Sequence, residues 1–209
     1  MKSESVRNFG VLAVVFGVVT AGCISGRNSM SVGLHDPEFL TPQLKGRNLL
    51  TNPSFESTGT TAWTVSSFLS NPNAVRIVQD KGHDGRLSSI AYIESIDSDD
   101  VAFKQAVSVK PQTDYLFSGW AKWEDVVIEQ DRTIGVNLCQ MGTWNRGGGI
   151  LQGSQGWTYL TFAFNSGEKT MIDLAVRLGF YSNVTKGKAW FDDMCLIELP
   201  KPKANDGSL

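Results

Sequence analysis

An all-β domain is what this sequence predicts, and three observations carry the prediction. Glycine is abundant, at 21 of 209 residues, and Val, Thr, Phe and Trp are plentiful, a balance that favours many short strands and turns over helices. Apolar and polar residues alternate with a period of two, most clearly over Tyr115 to Trp123 and Met171 to Phe180, which sends successive side chains to opposite faces of a strand. Turn formers such as Asn52-Pro53, Gly82-His83-Asp84-Gly85 and Lys110-Pro111 punctuate these runs.

Residues 1–22 read as an export signal: Lys2 and Arg7 precede the apolar run Phe9 to Val19, which is shorter than the ~20 residues a bilayer span requires. Small residues then lead to a cysteine in Thr20-Ala21-Gly22-Cys23. This resembles the lipobox of bacterial lipoproteins, which implies lipidation of Cys23 as the mature N-terminus and anchoring in the membrane of the cell envelope. An ordinary cleaved signal with an incidental Cys23 is the alternative. Residues 23–46 mix Gly, Ser, Asn, Pro and charge without a period and read as a tether. Residues 47–199 form the domain, and the tail 200–209, with Pro200 and Pro202, is expected to fray.

Within the domain, Asn48-Leu49-Leu50-Thr51-Asn52-Pro53-Ser54-Phe55-Glu56 enters on apolar residues and turns at Asn-Pro, with Asn52 expected to be extended. Phe55 is expected in the core and Glu56 at the rim. Trp63 and Val65 suggest a strand, Val75 to Val78 begins another, and the turn Lys81 to Arg86 leads into a third at Leu87 to Ile93. Asp97-Ser98-Asp99-Asp100 lacks the spacing of an EF-hand loop and reads as a solvated loop. Val101 to Val109 and Tyr115 to Trp123 are separated by a proline turn. On the latter strand Tyr115, Phe117, Gly119 and Ala121 share the core face, leaving Trp120 outside. The same parity turns Ile134, Val136 and Leu138 inward with Asn137 outward, and Ile172, Leu174, Val176 and Leu178 inward with Asp173 and Arg177 outward. Trp144 to Gly149 and Gln152 to Gly156 read as loops.

The pattern Asn-Leu-Leu-x-Asn-Pro-x-Phe-Glu at residues 48–56, and aromatic-Asp-Asp-x-x-Leu at Phe191-Asp192-Asp193-Met194-Cys195-Leu196, resembles the two ends of the carbohydrate-binding modules of families 4, 9 and 22. The segments Gln105 to Pro111, Tyr115 to Trp120 and Gly156 to Phe162 fall in the family's order, so the resemblance spans Arg47 to Leu199. It implies a jelly-roll β-sandwich of two antiparallel sheets, like that of galactose-binding domains. It also implies a structural calcium ion held by Glu56 and Asp192 with backbone carbonyls around Gly85, tying the first and last strands together. Combined with strand parity, it nominates a concave glycan-binding face: Trp120 as the main stacking platform, Asn137 and Arg177 as polar partners, and Trp123 or Trp144 closing one end. Burial of Trp120 beneath the glycine-rich loop is the competing reading.

Catalysis finds little support. Adjacent acids such as Asp192-Asp193 and Glu124-Asp125 point apart on a strand and cannot flank one glycosidic bond. His35 and His83, the 2 histidines of the chain, have no supporting triad or metal motif. A formal net charge of -2 without a basic run argues against nucleic acid as partner. Cys139 and Cys195 are either a disulfide or two separate buried thiols. Asn183-Val184-Thr185 matches a glycosylation acceptor, a pattern with little meaning in a bacterial lipoprotein. The expected function is non-catalytic binding of a polysaccharide or oligosaccharide by a monomeric, lipid-anchored envelope protein. A structural or adhesive envelope lipoprotein that binds protein through the same fold is the alternative; an exposed aromatic groove favours the first and an occluded or purely polar face the second.

Overall fold

The computed structural model describes residues 47–59, 62–128, 134–148 and 150–200, so the expected signal, the tether with Cys23, and the tail beyond Pro200 lie outside the described residues. Ten strands follow in order: β1 Thr64–Ser67, β2 Val75–Lys81, β3 Leu87–Asp99, β4 Val101–Ser108, β5 Asp114–Ile128, β6 Val136–Gln140, β7 Arg146–Gly147, β8 Gly153–Asn165, β9 Met171–Leu178 and β10 Thr185–Glu198. They form two antiparallel sheets of five strands, the first in the order β1-β4-β9-β6-β7 and the second in the order β2-β3-β10-β5-β8. The predicted jelly-roll β-sandwich is the observed fold.

Strand parity places the core as expected. Tyr115, Phe117 and Ala121 of β5 meet Leu174, Val176 and Leu178 of β9 between the sheets, together with Phe191 and Leu196 of β10. Gly119 is required because a Cβ there would overlap the Met194 side chain. Trp123 shares this inward face and is buried, its Nε1 donating to the Gln152 carbonyl at 3.2 Å. It is therefore a core residue and closes no binding face.

The N-terminal stretch substitutes for a strand. β10 pairs with β3 as far as Phe191↔Ala91, then bulges at Asp192-Asp193, and the chain from Asn48 to Pro53 takes over alongside it. Leu49 N donates to the Leu196 carbonyl at 2.9 Å, Met194 N to the Pro53 carbonyl at 2.9 Å, and Asn48 bonds both Met194 and Leu196 through its side chain. Asn52 is left-handed, with φ 50°, rather than extended, a conformation asparagine tolerates better than most residues. Phe55 enters the core as expected, 5.3 Å from Trp63 and 6.0 Å from Phe103 between ring centroids.

Three loop assignments are corrected. Asp97 to Asp99 continue β3, and Asp99 and Asp100 are buried, because their carboxylates are consumed by neighbouring donors and by Arg177. Gly153 to Gly156 open the long strand β8, pairing with β5 where a bulge at Asp125 admits them. Arg146 and Gly147 add the short edge strand β7 to β6.

Candidate functional site

Parity gives the direction of a side chain but not the sheet it belongs to. Trp120 lies on β5 in the second sheet, whereas Asn137 and Arg177 lie on β6 and β9 in the first, so their outward directions are opposite sides of the sandwich. The expected shared face does not exist. On the outer side of the second sheet Trp120 stacks on His83, with centroids 4.4 Å apart and planes at 8°, and meets the edge of Tyr159 at 5.3 Å. His83 Nε2 lies 2.8 Å from Asp193 Oδ2, which holds the β2–β3 turn over the indole. Trp120 is thus half-buried beneath a turn other than the glycine-rich one, with one ring face already occupied.

On the first sheet, outward residues are themselves covered. The segment following β9 folds back so that Phe180 packs on Ala102, Cys139 and Ala175, with Ile134 joining this outer cluster instead of the inner core. Gly179, at φ 96°, makes the fold-back possible, since a Cβ there would lie 2.9 Å from the Asp99 carbonyl. Asn137 is consequently buried, its Nδ2 donating to the carbonyls of Gly135 and Gly179 at 3.0 and 2.8 Å. It braces the turn and is not open to a ligand. Asn183 is buried in the same turn with its Nδ2 on the Phe180 carbonyl, so the glycosylation pattern has no free amide.

What this cover leaves open is a groove of about 460 Å³ across the strands, floored by Ala102 and Arg177 and walled by Phe68, Met141, Tyr181 and Val184. Arg177 is fixed from every side. Its Nε donates to Asp100 Oδ1 at 2.6 Å, its Nη2 to Asp100 Oδ2, and its Nη1 to the sulfurs of Cys139 and Met141 at 3.7 Å. The guanidinium carbon lies 4.7 Å from the Phe180 ring and 4.5 Å from that of Tyr181. Burial opposes the charged form, but the bonds to Asp100 outweigh it and hold the Arg177 pKa above its ordinary value. Burial also pushes the Cys139 thiol up to about 11, against the lowering effect of Arg177.

Trp144 stands behind Tyr181, 75% exposed, with its ring 5.4 Å from Tyr181 and 5.7 Å from Phe180. Tyr181 is anchored in turn through its hydroxyl, which donates to the Thr143 carbonyl at 3.2 Å. Of the residues nominated from sequence, Arg177 lines this groove and Trp144 adjoins it through Tyr181 without lining it. Tyr181, Met141, Asp100 and Phe68 were not nominated. Phe68 left a readable signal, an aromatic in the polar loop Ser66-Ser67-Phe68-Leu69-Ser70-Asn71.

The two described cysteines are free and lie on opposite sides of the sandwich, Cys139 outward on β6 and Cys195 outward on β10. The nominated calcium donors gather near the start of β3. Glu56 accepts bonds from Ser89 N and Oγ, both at 2.8 Å, and Asp192 accepts one from Ser88 Oγ at 3.0 Å, with Gly82 packed against it. Burial, then the neighbouring Asp193, push the Asp192 carboxyl up to about 6. A buried carboxylate bonded only by neutral donors fits a hard cation, which would add charge compensation there. Gly85 lies exposed in the turn that closes through Gly82 N to the Arg86 carbonyl. Among the described residues no three of His, Cys, Asp and Glu gather as a metal cluster, so backbone and hydroxyl oxygens would have to complete the shell.

No protein-family model matches the chain, and no curated protein matches its sequence. Among solved structures it is similar to a family 61 carbohydrate-binding module in complex with β-1,4-galactotriose, at 21% identity and a TM-score of 0.51, covering 73% of this chain and 99% of that one. It is similar at 10% identity and a TM-score of 0.51 to the enzymatically active domain of tailspike protein 4 of bacteriophage CBA120, covering 73% of this chain and 21% of that one. A family 22 xylan-binding domain from Paenibacillus barcinonensis is similar at 14% identity with a TM-score of 0.47, covering 75% and 97%. The first of these likenesses shows the fold to be the jelly-roll β-sandwich found in carbohydrate-binding modules.

Proposed function

We propose that the domain binds carbohydrate, without cleaving it, in the groove across the first sheet. The observation that carries this reading is an open groove lined by Phe68 and Tyr181, beside which stands the exposed, ring-supported indole of Trp144, above a floor whose one guanidinium is already neutralised by Asp100. Aromatic faces stack on the apolar C–H face of a sugar ring, while serine hydroxyls at Ser66 and Ser182 suit its hydroxyl groups. An uncharged floor favours neutral sugars over acidic ones. The family 61 module with the same fold binds β-1,4-galactotriose, which supports the reading from outside the chain. A catalytic reading lacks its acid pair: the groove's carboxylate is Asp100, tied to Arg177 by both oxygens.

Two further parts of the proposal concern the setting of the groove. Cys23, in its lipobox-like context, anchors the protein to a membrane through acyl chains, and a structural calcium ion bridges Glu56 and Asp192.

The test is a glycan array on the soluble domain, followed by Trp144→Ala. Because the indole is exposed, the variant keeps its thermal unfolding midpoint while affinity falls tenfold or more, about 1.4 kcal/mol. Absence of any glycan retained by the wild-type domain would remove the reading.

A further inference from the structure

The loop between β1 and β2 carries Phe68 at 72% exposure beside Leu69 at 50%. An apolar pair at that exposure is ordinarily mobile, yet this one is pinned. Asp99, 3% exposed, accepts bonds from Ser67 Oγ at 2.6 Å and from Leu69 N at 3.0 Å. Phe68 N donates to the Asp100 carbonyl at 3.1 Å, and the loop closes on itself through Ser70 N to the Ser67 carbonyl and Asn71 N to Ser67 Oγ. A buried carboxylate and a ring of backbone bonds therefore fix the backbone that presents an aromatic side chain to water, where it contributes nothing to the core. A loop backbone fixed in advance lowers the ordering cost of whatever binds the side chain it carries.

Phe68 lines the same groove as Tyr181 and Arg177, but from the β1 side, whereas Trp144 stands beyond β6. The sheet order β1-β4-β9-β6 separates those two strands by three steps of ~4.8 Å, roughly 14 Å. On that strand spacing, a chain of sugars laid across the strands is the ligand suited to run from one side of the groove to the other.

We propose that Phe68 is a second aromatic subsite of the groove, which therefore takes a linear oligosaccharide laid across the strands rather than a monosaccharide. This rests on the reading of the groove as a carbohydrate site. Asp99 acts as a positioning residue: it holds the loop without facing the ligand. The chain crosses from Trp144 over Tyr181 to Phe68, so each added sugar that reaches a further ring converts a separate binding event into an intramolecular one.

Calorimetric titration with β-1,4-galacto-oligosaccharides and β-1,4-xylo-oligosaccharides of one to six units, on wild type, Phe68→Ala, Phe68→Trp and Trp144→Ala, tests it. The expected result is a rise in wild-type affinity of tenfold or more at the length that bridges the two rings. That step is lost in Phe68→Ala and kept in Phe68→Trp, while Trp144→Ala weakens every length. Thermal unfolding of Phe68→Ala matches wild type, because the ring is outside the core. An identical length profile in Phe68→Ala and wild type, or wild-type affinity that is already full with the monosaccharide, overturns the subsite. If wild type binds neither ladder the inference also falls; a positive glycan array would then leave the groove reading standing, and a negative array would remove both.

Discussion

Arg177 is the residue on which the groove depends, and its role is mechanical before it is chemical. A guanidinium 2% exposed is expensive to desolvate, and its two-point attachment to Asp100 compensates for that cost while fixing the planar group under Tyr181. Removing one partner leaves a buried charge alone. Asp100→Ala is therefore expected to destabilise the domain by about 3–5 kcal/mol, whereas adding Arg177→Met to the same chain recovers much of the loss, because a neutral side chain needs no counter-charge. Urea unfolding of the single and double variants measures the difference; equal instability of the two would mean that packing, not charge, is what the pair supplies. A rigid floor of this kind differs from the solvated Asp97-to-Asp100 loop and free Arg177 that the sequence suggested. The reason is that Asp100 and Arg177 lie far apart in the chain and meet only through the β4–β9 pairing.

At the scale of elements, the N-terminal stretch and β10 show how the two ends of the domain are held together. Backbone bonds from Leu49 and Met194 and both side-chain atoms of Asn48 already join them. What is left uncompensated is Asp192, buried beside the bulge with its carboxyl pushed up to about 6. Calcium bound there is expected to raise the melting temperature of metal-stripped protein, by linkage about 2.7 kcal/mol at a hundredfold excess over the dissociation constant. Asp192→Asn should abolish the response, and an unchanged melting temperature in calcium and in chelator would remove the ion. The strands themselves were largely legible. Period-two alternation located β4, β5, β6 and β9 and assigned Tyr115, Phe117, Leu174 and Val176 to the core. The same parity, carried one step further, puts Trp123 inside with Ala121. What alternation cannot encode is which strands share a sheet, because pairing is a long-range choice; hence Trp120 and Arg177 were placed together when the sandwich separates them. Nor does it encode the layer that Phe180 adds outside the first sheet, which turns outward residues such as Asn137 and Cys139 into buried ones.

Across the whole molecule, the described chain enters and leaves at one end while the groove opens towards the other. Asn48 and Leu49 bond Leu196, and Leu199 N bonds the Asp114 carbonyl, so both ends leave the sandwich where β10 finishes. Asp100 and the turn Tyr181 to Val184 lie where β10 begins, as the pairing Thr185↔Asp99 shows. Eleven residue steps of bulged strand from Thr185 to Leu196, at ~3.3 Å each, separate the two levels by at most roughly 35 Å. A lipid at Cys23 would thus reach the domain through the chain that enters it at the end remote from Phe68, Asp100 and the turn Tyr181 to Val184. Acyl chains contribute about 0.8 kcal/mol for each buried CH₂, so Cys23→Ser is expected to release the protein from membranes. The geometry adds a sharper expectation: because Phe68, Asp100 and the turn Tyr181 to Val184 lie away from the anchored end, lipidated protein on vesicles should bind oligosaccharide with the same affinity as the soluble domain spanning residues 47–200. Titration of both forms with one ladder decides it. A marked loss of affinity on the vesicle surface would mean that the domain lies down on the membrane and covers its groove. An unmodified Cys23 in native protein, seen by intact-mass analysis, would remove the anchor altogether.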